Sequence, residues 1–161
     1  MDYLWTPWRY QYVTKGEPSP VCVFCTAGGS ADDRKNLIVH RARNNFIILN
    51  RFPYTNGHVM VVPFQHVASL QDLEEDALVE MMRLARECEK HLRALYRPDG
   101  LNIGLNLGQS AGAGIANHLH MHILPRWAGD TNFMTVTGET RVLPEELPAT
   151  WEKLKNVDWA L

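Results

Sequence analysis

The sequence predicts an α+β domain, a mostly antiparallel five-stranded sheet backed by one main helix with a short helix near the C-terminus. Three observations predict it: β-branched runs with a turn signal between them, one long segment with apolar residues at helical spacing, and histidines spaced by two in a strand-like run. The first strands are "LIV" at 37–39, "NFIILN" at 45–50 and "HVMVVP" at 58–63, and "YTNG" at 54–57 turns the chain between the last two. Connections this short favour antiparallel pairing. Leu78, Met81, Ala85, Cys88, Leu92 and Leu95 then recur at steps of three and four, which marks an amphipathic helix ended by "RPDG" at 97–100. "LNIGLNLG" at 101–108 and "HLHMHILP" at 118–125 supply two more strands, and "LPEELPATWEKLK" at 143–155 the terminal helix. Residues 1–35 are aromatic and then rich in Pro, Gly, Ser and Asp, and read as an irregular, tethered arm carrying "CVFC". The expected organisation is one domain, 1–161, with that arm, a core over 36–127 and a tail over 128–161.

A chain of 161 residues with 45% hydrophobic content suffices for one core. Sixteen basic and eighteen acidic side chains, with no long basic run, argue against a grip on long nucleic acid. No apolar stretch reaches the length of a membrane span, and the opening "MDYLWTPWRYQYV" lacks the basic, apolar and small-residue order of a secretion signal. A cytoplasmic protein is expected. Three cysteines are too few for a disulfide scaffold and fit a reducing compartment.

On a strand, His118, His120 and His122 project from one face, and Leu119, Met121 and Ile123 from the other. A row of imidazoles suits metal binding or nucleophilic chemistry. Cys22 and Cys25 have the spacing by which two thiolates chelate one zinc, although a CxxC pair is also compatible with a redox couple or simple packing. No strand precedes it, which argues against a redox motif. Cys88 lies on the apolar stripe of the helix, where packing explains it. The glycine-rich turns "NGHV" at 56–59 and "GLNLGQSAGAG" at 104–114 are able to bring backbone N–H groups against an anion, as a phosphate cradle requires. His40 and His91 stand in no motif, and the acidic "EEDALVE" reads as a solvated helix face. Tyr3, Trp5, Trp8, Tyr10 and Tyr12 suggest an arm pinned to the core or to a partner, and Trp127 fits packing or substrate contact equally well.

The run His118-Leu-His120-Met-His122-Ile-Leu matches the His-φ-His-φ-His-φ-φ motif of the histidine triad (HIT) family of nucleotide hydrolases and transferases. "NGHVMVVPFQH" at 56–66 and "NLG" ahead of the triad loop extend the resemblance over about 37–125. "LWTPWRYQYV" and "PRWAGDTNFM" resemble the bacterial diadenosine tetraphosphate phosphorylase branch, also called ATP adenylyltransferases. The resemblance implies a HIT-like fold, a homodimer, a small-molecule nucleotide substrate and a nucleotidyl-histidine intermediate. It places the nucleophile at His120, with His122 and His58 orienting it and touching phosphate. A structural zinc would be held by Cys22, Cys25, His66 and His118, and a divalent cation would accompany the substrate. Asn106 matches a residue near ribose and phosphates, and Asn50 falls where many members carry a ribose-binding aspartate. The triad loop departs from the family pattern, since Ser110 lies well upstream of His118 and leaves Gly112 and Gly114 as the nearer phosphate contacts. The acceptor, water or phosphate, stays open. So do two rivals: a nucleotide-binding scaffold with little turnover, and a zinc-dependent hydrolase.

Overall fold

A computed structural model describes residues 21–130 and 143–159. The aromatic arm through Tyr12 and residues 131–142 and 160–161 of the predicted tail lie outside them. In chain order the elements are α1 (Val23–Gly29), α2 (Asp33–Asn36), β1 (Ile38–Arg41), β2 (Asn45–Leu49), β3 (Val59–Pro63), α3 (Glu75–Tyr96), β4 (Gly100–Leu105), β5 (Met121–Arg126) and α4 (Leu147–Lys155). The five strands form one antiparallel sheet in the order β1-β2-β3-β5-β4. The predicted α+β class and its five strands are therefore present.

Alternation along the strands gives the sheet two different faces. Val39, Ile47, Leu49, Val61, Met121 and Ile123 point to the face covered by α3, meeting Met81, Leu84, Cys88 and Leu92 in the larger core. Cys88 is fully buried there, and desolvation pushes its thiol far above the ordinary range, so its role is packing. The opposite face carries a cross-strand row, Ile38, Ile48, Met60, His122 and Gly104, each the register partner of the next. Phe24 and Ala27 of α1 cover the apolar part of that row.

Three sequence expectations need correction. In the predicted irregular arm, residues 23–29 are helical, as are 33–36, which run one residue beyond it. Phe24 and Ala27, three apart, give α1 an apolar stripe that the sheet buries, and this outweighs the helix-breaking composition around it. The strand through the histidines begins at Met121, so His118, at a bend, and His120 lie in the segment that leads into it. Pro63 ends β3 and has no N–H to continue the ladder, and Leu119 N–H instead donates to Val67 O at 2.7 Å. Glu80, placed on a solvated face, is half-buried and accepts from Arg43 N, Asn44 N and Asn45 Nδ2, which ties the β1–β2 turn to α3.

The turn into β3 requires glycine. Gly57 has φ +74°, and a Cβ there would stand 3.1 Å from side-chain atoms of both Leu92 and Tyr96. His40 and His91 flank Trp159, with ring centroids 5.6 and 4.9 Å from it, and His91 Nε2 lies 3.0 Å from Asp158 O. Both histidines thus anchor the C-terminal segment. No helix among the described residues is long and apolar enough to cross a membrane.

Candidate active site and metal cluster

A cavity of about 540 Å³ lies between α1 and the sheet. Val23, Phe24, Thr26 and Ala27 line it from α1, and Ile48, Met60, His120 and His122 from the sheet side. Asn50, Arg51, Phe52 and Tyr54 line it from the loop after β2, and Gly112, Gly114 and Ile115 from the loop before the triad. The walls are mostly apolar and the polar groups few, as in sites for small organic ligands.

Hydrogen bonds assign the protons on the histidines. His120 Nδ1 lies 2.8 Å from His118 O, and a carbonyl only accepts, so Nδ1 carries the proton and Nε2 the lone pair. Tyr54 N–H donates to His58 Nδ1 at 3.2 Å, which puts the His58 proton on Nε2. His58 Nε2 in turn lies 2.9 Å from His122 Nδ1, so that nitrogen accepts and His122 Nε2 bears an N–H. The Asn50 amide nitrogen lies 3.3 Å from His58 Nδ1, while Asn50 Oδ1 accepts from Phe52 N–H at 2.9 Å.

Burial lowers the proton affinity of all three triad histidines. For His122, burial and then the charge of His120 bring the pKa to about 4. His120 is lowered by burial, against the opposing hydrogen bond to His118 O. Both rings are neutral at pH 7, as a nitrogen nucleophile and a neutral N–H donor require.

Beside the cavity, and outside its lining, is a cluster of donor atoms. One ligand atom from each of Cys22, Cys25, His66 and His118 lies within 4.8 Å of all the others. His118 Nδ1 is 3.3 Å from Cys22 Sγ, 3.5 Å from Cys25 Sγ and 3.1 Å from His66 Nδ1, and Cys25 Sγ is 3.2 Å from His66 Nδ1. Tetrahedral zinc with ordinary Zn–S and Zn–N bonds would set such edges at about 3.3–3.8 Å. These four edges lie within a few tenths of an ångström of that range, and the donor set fits a metal. His118 Nε2 lies 2.9 Å from Pro63 O and so carries the ring's proton, which leaves Nδ1 free to ligate.

The structure thus brings His120, His122, Asn50, Gly112 and Gly114 to one cavity, sets His58 behind His122 and outside the cavity lining, and gathers Cys22, Cys25, His66 and His118 in one cluster beside it. Ser110 is exposed and Asn106 half-buried, and neither lines the cavity; nor does Trp127. Sequence reasoning missed Phe24, Arg41 and Tyr54. Phe24 stands inside "CVFC", where the cysteine spacing carries the signal, and Tyr54 inside the turn signal "YTNG". Arg41 gave no local signal, because its partners are the backbone carbonyls of Ala27, Gly28 and Ser30.

A fold of this topology, with the triad's alternate residues split between core and cavity, defines a histidine triad protein. The HIT domain model matches residues 32–129, and the chain belongs to that family. Among relatives, it is 39% identical over 168 residues to the AP-4-A phosphorylase of Mycobacterium tuberculosis, spanning 99% of this chain and 85% of that one. Among solved structures, it resembles a Zn-bound histidine triad family protein from Mycobacterium smegmatis, at TM-score 0.67 and 26% identity, over 83% of this chain and 90% of that one. A hypothetical histidine triad nucleotide-binding protein from Sulfolobus tokodaii matches at TM-score 0.64 and 27% identity, covering 84% and 93% of the two chains.

Proposed function

We propose that this chain is a nucleotidyl-transfer enzyme that cleaves dinucleoside polyphosphates of the diadenosine tetraphosphate type through a nucleotidyl-histidine intermediate. The observation that carries the reading is His120, whose Nδ1 is tied to His118 O while the ring lines the cavity with its other nitrogen unprotonated. Near-full-length similarity to a protein named AP-4-A phosphorylase supports the substrate class.

In the proposed reaction His120 Nε2 attacks the α-phosphorus, an N–P bond forms, and the P–O bond to the departing nucleoside polyphosphate breaks. The ring becomes cationic, and its Nδ1–H bond to the His118 carbonyl strengthens accordingly. His122 Nε2–H, held by His58 and ultimately by Tyr54 N–H, is the donor for a phosphate or leaving-group oxygen. Gly112 and Gly114 cradle the phosphates through backbone N–H groups, and Asn50 meets the ribose. Asn106 and Ser110 remain candidates for outer contacts made as substrate enters. A phosphate oxygen then attacks the adenylated histidine, breaking N–P and releasing ADP beside the ATP already formed. A divalent cation accompanying the polyphosphate would neutralise part of its charge.

Zinc is the proposed occupant of the Cys22, Cys25, His66 and His118 cluster. Four protein ligands fill a tetrahedral shell and keep no position open for water, which favours a structural metal over a zinc-dependent hydrolase. We also infer a cytoplasmic homodimer, on the free thiols of the described residues and on the edge strand β4, where Ile103 is 45% exposed. Sedimentation of the pure protein tests the dimer.

The deciding experiment is product analysis on diadenosine tetraphosphate with and without inorganic phosphate. ADP and ATP formed only with phosphate identify a phosphorylase, and AMP with ATP identifies a hydrolase. His120→Ala should remove turnover. Activity near wild type in that variant would reject the nucleophile, and no turnover in the wild-type protein would favour the scaffold reading.

A further inference from the structure

Phe24 stands between Cys22 and Cys25 and is 3% exposed. Its ring touches two histidines with different duties, edge-on to His118 at 5.4 Å and tilted at 46° to His120 at 5.0 Å. The ring of His122 lies 4.9 Å from His120, at 76° to it. A single hydrogen bond from Nδ1 to His118 O fixes one atom of the His120 ring and leaves the ring able to swing about that bond. Such a swing displaces Nε2, the atom that must meet phosphorus. Contact with Phe24 on one hand and His122 on the other restricts it.

The position of Phe24 is itself fixed from both ends of α1. At the start, both residues that bracket it in the motif belong to the donor cluster. Beyond the other end, Arg41 donates to the carbonyls of Gly28, Ala27 and Ser30 at 2.5, 3.2 and 2.6 Å. Asp33 holds that guanidinium at 2.8 Å and also accepts from Lys155 of α4. A ring on a seven-residue helix clamped in this way is a rigid stop.

We infer that Phe24 is a positioning residue, the ring through which the cysteine–histidine cluster sets the orientation of His120. The inference rests on the reading of His120 as nucleophile. It also explains an economy in the motif, since "CVFC" supplies two ligands and the stop with one turn of helix.

The test uses the full zinc-loaded protein and Phe24→Leu, which keeps apolar bulk but lacks a planar ring. Rapid-quench single turnovers on diadenosine tetraphosphate should show adenylation of the protein slowed about 10- to 100-fold, the scale of a misplaced reacting atom. One zinc per chain should be retained. Nitrogen-15 spectra of labelled histidine provide a readout independent of activity: His120 should pass from one fixed tautomer to an exchanging mixture, and zinc removal from wild type should produce the same change. Adenylation within threefold of wild type, or an unaltered His120 spectrum, overturns the inference. Loss of zinc from Phe24→Leu overturns it too, because the ring would then be a plug for the cluster. If Phe24→Leu fails to fold, Phe24→Met undergoes the same measurements. Failure of the nucleophile reading is separately visible as wild-type protein that turns over substrate yet never traps adenylate, and the histidine spectra still decide whether Phe24 orders that ring.

Discussion

The loop before the triad offers a direct contest between a serine and two glycines. Ser110 is solvent-exposed and outside the cavity, whereas Gly112 lines it with φ +92° and ψ 16°. If Ser110 reached the scissile phosphate, removing a hydroxyl that donates to a charged oxygen would cost about 1.5–3 kcal/mol, or about 10- to 150-fold in kcat/KM. Because it does not line the cavity, Ser110→Ala should stay within about threefold of wild type. Gly112→Ala meets a different obstacle. An L-residue at that φ costs about 1–2 kcal/mol, and the loop relieves it by turning the neighbouring N–H groups away from the phosphates. A loss of about 10-fold or more is therefore expected for Gly112→Ala, seen in kcat/KM for diadenosine tetraphosphate under first-order conditions. A tenfold loss in Ser110→Ala beside an unaffected Gly112→Ala would refute the reasoning and show that the serine swings in with substrate.

Three further outcomes follow from the geometry. The unfolded chain binds a proton on His122 near pH 6.5, whereas the folded one waits until about pH 4, so stability is lost as pH falls through that window. Urea unfolding of wild type and His122→Asn across it should show a steeper loss in wild type, by at most about 3 kcal/mol at the acid end, and parallel curves would contradict the burial argument. Gly57→Ala combines the positive φ with the close approach of Leu92 and Tyr96, and should lower unfolding free energy by about 1–3 kcal/mol by chemical denaturation. Chelation of the purified protein should lower Tm by about 5–10 °C, because metal binding is folding free energy, and Cys22→Ser should show no such shift.

Much of this was legible because period-two alternation is a local property of the chain. It assigned Leu119, Met121 and Ile123 to the core and His122 to the opposite face, as the structure has them. The amphipathic stripe of α3 was legible for the same reason, through Met81, Ala85, Cys88 and Leu92. What escaped was non-local or carried by backbone. Arg41 binds three carbonyls contributed by residues more than ten positions away, and Glu80 binds two backbone N–H groups across 36 and 37 positions of sequence. Neither bond leaves a trace in side-chain pattern. The helix α1 was hidden because a seven-residue element owes its existence to the sheet it covers rather than to its own propensity.

His118 shows why one motif serves both metal and nucleophile. Its Nδ1 faces Cys22, Cys25 and His66, its Nε2–H donates to Pro63 O, and its carbonyl accepts from His120 Nδ1. The first two bonds hold the side chain and the third is made by the main chain, so fixing the imidazole also fixes the peptide that selects the tautomer of the next histidine, His120. The short main-chain segment between the two histidines makes this coupling possible. The intervening residue, Leu119, anchors that backbone through its N–H bond to Val67 O and its side chain in the α3 core. Substituting Leu119 with alanine would thus loosen both sites at once while touching neither ligand nor nucleophile.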